Sequence, residues 1–166
     1  DKRVSLQVLT GSRGISTDDQ VRFLKKPIRV SCSENLLGRI FTGNGEPRDN
    51  GPSLTDNMID IGGPSVNPAK RIVPKNMIRT GIPMIDIFNS LVESQKLPIF
   101  SGSGLPANEI AAQILAQAKV RGEEEQFVIV FAAMGITQRE AAFFLQSFEE
   151  TGAKGNVVTF LNLAND

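Results

Sequence analysis

The chain has 166 residues, with 18 Lys and Arg balanced by 18 Asp and Glu, 40% hydrophobic content, and no His, Trp or Tyr. Zero net charge without a basic cluster gives nothing to hold a polyanion by counterion release, so a nucleic-acid partner is not expected. The missing His removes Ser-His-Asp and Cys-His catalysis and most zinc sites, and the single Cys32 has no internal disulfide partner and reads as a small packed residue. No apolar run approaches the ~18 residues of a membrane span, and the first residues lack the apolar stretch of a signal peptide. A globular chain of this size can bury roughly 70% of its unfolded surface.

In chain order, Val4, Leu6 and Val8 alternate with polar residues and suit a half-buried strand. Gly11 and Gly14 punctuate a turn, and residues 21–24 and 28–30 predict two more strands. Such a small sheet does not stand alone easily. Residues 1–31 are therefore expected to be the remnant of an N-terminal β-barrel whose earlier strands lie outside the sequence. From residue 32 to about 80, Gly, Pro and Asn mark turn-rich connecting chain that wraps an existing surface.

Beyond Gly81 the pattern changes. Pro83 is expected to open a short helix carrying Met84, Ile85, Phe88 and Leu91. Residues 97–100 predict a short apolar strand, Ser101 to Gly104 a Gly-rich turn, and Pro106 the start of a helix. That helix has Ile110, Ala111, Ile114, Leu115 and Ala118 on one face. Glu123, Glu124 and Glu125 read as a solvated turn. The run Phe127 to Ala132 suits a strand buried on both faces. Thr137 with Glu140 is a capping box, Ala141, Phe144, Leu145 and Phe148 mark a buried helical face, and Gly152 ends the helix. Residues 157–163 predict a last strand. The alternation of strand and helix argues for an α/β fold with a parallel sheet and right-handed crossovers. A sheet reaching only its third strand at the last residue is expected to be incomplete.

A strand, a Gly-rich turn and a helix are the usual setting for phosphate binding, because backbone N–H groups converge there and the helix dipole favours an anion. The phosphate-loop pattern is G-x-x-x-x-G-K-[ST]. Here the stretch reads Ser101, Gly102, Ser103, Gly104, Leu105, Pro106, Ala107, Asn108. All four defining positions differ: Ser101 and Pro106 replace the glycines, Ala107 the lysine, and Asn108 the hydroxyl residue. Pro106 has no N–H to donate, and Ala107 supplies no cation for a transferring phosphoryl group. Asn108 is a poor substitute for a magnesium-ligating hydroxyl, and Glu109 brings a negative charge into the first helical turn. Loss of one well-aimed electrostatic donor commonly costs ~3–4 kcal/mol in a transition state. Turnover at this loop is not expected. The residues alone leave open a plain tight turn, a weak anion site, or a functional loop of another kind.

The stretch Gln95 to Pro106, followed by Asn108 to Ile114, closely resembles the B subunits of V-type and A-type rotary ATPases. Further matching blocks are Leu37 to Phe41 with Gly43, Gly45, Pro47, Asp49, Gly51 and Pro52, then Thr80 to Ile82 with Ile85 and Asp86, Phe131 to Gly135, and Asn162 to Asp166. The resemblance implies a P-loop NTPase (RecA-like) α/β domain, of which residues 32–166 would hold the connecting segment and first half. It implies a non-catalytic subunit that alternates with a catalytic A subunit in a ring of three pairs and contacts central and peripheral stalk subunits. It would meet the membrane only indirectly, as part of the cytoplasmic ATPase head. ATP or ADP with magnesium would sit at the catalytic partner's interface site, with no cofactor held by this chain alone and no metal site. The family's trans-acting arginine would lie beyond Asp166. Ser94 stands where the family usually has Gly, and Ala107 where many relatives carry His. Two other readings stay open here: a divergent stand-alone nucleotide-binding protein, and a binding module that docks through residues 43–70.

Overall fold

The computed structural model describes residues 5, 6, 8, 13–120 and 127–165. Val4, Gly11, Glu123 to Glu125 and Asp166 lie outside the described residues. The elements, in order, are β1 (Arg29–Ser31), β2 (Ile40–Thr42), β3 (Met58–Asp60), β4 (Met77–Arg79), α1 (Pro83–Phe88) and β5 (Leu91–Val92). They continue with α2 (Ala107–Gln117), β6 (Lys119–Val120), β7 (Ile129–Ile136), α3 (Gln138–Glu150) and β8 (Val157–Leu163).

The parallel sheet has the order β2-β8-β7, so the last strand in sequence is central. β7 enters α3 through the capping box: the Thr137 hydroxyl accepts from the Glu140 N–H at 3.3 Å while the Glu140 carboxylate takes the Thr137 N–H at 2.8 Å. Two helix-end donors are thereby satisfied by two side chains. Gly152, at φ +70°, occupies the left-handed conformation that releases the chain from α3 towards β8. Gly135 does the same inside β7: its φ of +69° coincides with a register shift against β8 between Met134 and Ile136.

Two apolar clusters lie between α2, α3 and the sheet. Ala112, Phe144, Phe148 and Val157 form one, and Ala133, Ala141, Leu161 and Leu163 the other. Phe131 packs against both and meets Phe144 and Phe148 at ring-centroid separations of 4.7 and 5.3 Å. The expected faces of α2 and α3 hold, except that the most buried residue of α2 is Ala112, which the expected stripe omitted.

The run from Phe127 departs from expectation. Its burial alternates, with Ile129, Phe131 and Ala133 turned to the helices and Val130 and Met134 left 64% and 78% exposed. Helices cover one face only, so the strand reads with period two instead of being buried on both sides. Residues 21–24 and 97–100 form no strand, and Phe23 and Phe100 are exposed. Apolar alternation selects a strand only where a neighbouring ladder takes up the backbone groups, and Pro98 removes one N–H from the second segment. Of the first strand expected, Leu6 and Val8 are exposed and outside any strand. Leu91 belongs to β5 rather than to the helix opened by Pro83, and Cys32 is exposed rather than packed.

The turn-rich middle does more than wrap a surface. β2, which follows Arg39, pairs in parallel with β8, Phe41 opposite Phe160. Phe41 is 1% exposed, and its ring stacks on Phe160 at 5.5 Å. Arg39 grips Asp49 with two bonds of 2.9 and 2.7 Å, donates to the Pro52 carbonyl at 2.8 Å, and lies over the Phe41 ring at 5.2 Å. Elsewhere β1 pairs antiparallel with β3, and β4 lies between β5 and β6 in a second antiparallel sheet.

Among the described residues the buried apolar clusters lie between the parallel sheet and its two helices.

Candidate functional site

The Gly-rich turn sits where α/β proteins bind ligands, outside the carboxyl ends of the parallel strands. Its position follows from one contact: Asn108, in the first turn of α2, donates to Glu140 Oε1 at 3.2 Å, and Glu140 is in the first turn of α3, just past the end of β7. The two helix N-termini are thus side by side. The other end of α2 is fixed by β6, which pairs with β4 directly after the helix. There Gly81, at φ +74°, lies so close to Gln117 that an added Cβ would come within 3.3 Å of the Gln117 Cβ.

The turn itself is tight. Leu105 N–H donates to Gly102 O at 3.3 Å, Ala107 N–H to Leu105 O at 2.8 Å, and Gly104 has φ +81°. Ser101, Gly102, Ser103, Gly104 and Pro106 are exposed, and Ala107 and Asn108 are half-buried. Pro106 is the N-cap of α2 rather than its first helical residue and offers no side-chain cap. A strand does not lead into the turn, so of the strand-turn-helix setting the turn and helix are present.

Residues 101–109 carry no Lys or Arg, and their charged contact across to α3 is with a carboxylate. The Glu140 carboxyl is held below its ordinary range, chiefly by the Thr137 N–H, then by the Thr137 hydroxyl and Asn108. Asn108, at the position of a magnesium-ligating hydroxyl, is engaged with that carboxylate. Ala107 brings no cation, and Glu109 is exposed two residues further on. Among the described residues no group of three or more His, Cys, Asp or Glu is placed to hold a metal ion. No helix among them is long and apolar enough to cross a membrane.

Two clusters carry polar geometry that no motif had singled out. Thr80, fully buried, gives its N–H and hydroxyl to Asp86 Oδ1 at 2.9 and 2.8 Å, while Gly81 N–H reaches Oδ2 at 3.1 Å. These bonds, the Thr80 N–H first, hold the Asp86 carboxyl below its ordinary range. The second cluster is Arg39 with Asp49. The signal for both was the block resemblance, which marks positions without saying what they touch. A shallow recess between α3 and β8, lined by Leu145, Phe148, Glu149, Lys154 and Val157, opens at the amino end of the strands, away from the Gly-rich turn.

The chain is similar to known proteins over nearly its whole length. Residues 81–166 match the model of the ATP synthase alpha/beta family, nucleotide-binding domain. It is 56% identical to a V-type ATP synthase beta chain of Borrelia garinii subsp. bavariensis, over 99% of this chain and 37% of that one. It is 57% identical to a V-type ATP synthase beta chain of Treponema denticola, over 98% of this chain and 36% of that one. Among solved structures it resembles an ATP synthase protein, NeqB, of Nanoarcheaum equitans, with a TM-score of 0.70 and 32% identity over 83% of this chain and 32% of that chain. The chain therefore spans little more than a third of the first of these relatives.

Proposed function

The chain belongs to the ATP synthase alpha/beta family, and from that premise we propose that it acts as part of a non-catalytic B-type subunit of a V/A-type rotary ATPase. Such a subunit alternates with catalytic A subunits, helps complete their ATP sites, and couples ATP hydrolysis or synthesis to proton or sodium transport. The observation that carries the reading is the Gly-rich turn. It is a tight turn that opens a helix, yet Ala107 gives no charge, Pro106 gives no N–H, and Asn108 is bonded to Glu140. Phosphoryl transfer needs positioned positive charge around the terminal phosphate, and residues 101–108 supply none.

In this reading Ser101, Gly102, Ser103, Gly104, Pro106, Ala107 and Asn108 are a degenerate phosphate loop. ATP or ADP with magnesium binds at the catalytic partner's interface. The division of the chain into a barrel remnant at 1–31 and a nucleotide-binding-type domain at 32–166 belongs to the same proposal. The exposed apolar residues outside the core, among them Ile72, Val73 and Phe100, at 90%, 76% and 92% exposure, support a chain that functions within an assembly. Central and peripheral stalk subunits are the further partners proposed, with the membrane contacted only through the ion-translocating sector and the chain in the cytoplasmic head.

The test is an ATPase assay on the protein alone and mixed with a partner that carries an intact phosphate loop. Turnover is expected only in the mixture and is lost when the partner's loop lysine is replaced. MgATP hydrolysis by the protein alone, at a rate comparable with the mixture, would overturn the reading.

A further inference from the structure

The Asn108–Glu140 bond joins α2 to α3, and it does so at the end of α2 that carries the Gly-rich turn. Further along, α2 is docked by apolar contact, through Ala112 against Phe144 and Phe148. Its far end is tethered by the β4–β6 pairing. The turn therefore depends for its placement on how the first helical turn is held. Glu140 is suited to hold it. Its carboxylate already accepts from the Thr137 N–H and hydroxyl, both at 2.8 Å, through Oε2, which fixes the group and leaves Oε1 aimed at Asn108. A carboxylate fixed in this way presents an acceptor with little freedom left to lose, which strengthens the bond it makes.

We propose that Glu140 is the positioning residue of the Gly-rich turn, and that the Asn108–Glu140 bond clamps α2 to α3 so that residues 101–106 are presented in one orientation. The clamp is independent of the rotary role: it acts on the shape of the turn whatever the turn meets. It makes Glu140 serve two helices at once, as capping-box partner for α3 and as anchor for α2.

The substitution Asn108→Asp separates this role from simple helix-end chemistry. An acidic residue in the first turn favours an isolated helix through the dipole, whereas against Glu140 it sets carboxylate against carboxylate. Amide hydrogen exchange is measured on the protein and on Asn108→Asp. The hydrogen-bonded amides of Leu105, Ala107 and Ile110 are expected to exchange about fivefold faster or more, while those in the body of α3 keep their rates, which also verifies that the variant is folded. The double variant Asn108→Asp with Glu140→Gln reverses donor and acceptor across the same contact and is expected to restore protection. Unchanged or slower exchange at Leu105, Ala107 and Ile110 in Asn108→Asp, or loosening that the double variant fails to rescue, would overturn the clamp.

Discussion

Thr80 places its N–H and its hydroxyl on one oxygen of Asp86, at 2.9 and 2.8 Å, and is itself fully buried. The same hydroxyl accepts the Ile82 N–H at 3.2 Å, so one side chain ties the end of β4 to the start of α1. Thr80→Val keeps the shape but leaves Ile82 N–H without its acceptor and Asp86 with one donor fewer. Denaturant unfolding is expected to show a loss of ~1–2 kcal/mol. A change under a few tenths would mean that water replaces the hydroxyl without cost.

Ser94 has φ +61°, in the left-handed region. Gly carries no Cβ penalty in that conformation. Ser94→Gly is expected to stabilise the protein by ~0.5–1 kcal/mol, after the extra chain entropy of Gly is set against the relieved strain. A lowered melting temperature would contradict it.

The Arg39–Asp49 pair makes a pH prediction. Two guanidinium bonds, helped by the Gly51 and Ile40 N–H groups, hold the Asp49 carboxyl well below the usual carboxylate range. A depressed folded pKa means stability that is fully present above the unfolded value of about 4 and is lost as pH falls below it towards the folded value. Asp49→Asn is therefore expected to lower stability at pH 7, by ~1–3 kcal/mol, and to flatten the acid limb of the stability profile. An acid limb identical in the two proteins would contradict the assignment.

Phe148 is 3% exposed and touches Phe131 and Phe144. Phe148→Ala opens a cavity where α3 meets the sheet and is expected to cost ~3–5 kcal/mol, read as a shifted denaturation midpoint. A cost under about 1 kcal/mol would mean that this cluster is not the core.

The parts legible in the sequence are those whose local signal and tertiary setting agree. α3 shows its capping box, its apolar stripe and its closing Gly152, and β8 shows its apolar run. α3 is governed by contacts within or next to the element, and β8 shows its run because it is the central strand of the parallel sheet. Residues 21–24 and 97–100 carry strand-like composition, but a strand exists only with a partner, and partnership is not written in a short segment. The same limit hid β2, whose three residues become a sheet strand only by meeting β8 across more than a hundred residues. At the site, the altered residues at 101, 106, 107 and 108 could be read directly. The bond from Asn108 to Glu140 could not, because it joins side chains 32 residues apart on two helices. Cys32 illustrates a residue-type expectation overridden by position: it follows β1 at the surface and is exposed there.

The most direct measurement of the central claim is calorimetric titration of MgATP and MgADP into the protein at millimolar ligand. No binding heat is expected, because the turn has neither the lysine nor a free hydroxyl at position 108 and its Asn108 is held by Glu140. Stoichiometric binding abolished by substitutions at Gly102 and Gly104 would contradict it, by showing that the turn still holds phosphate.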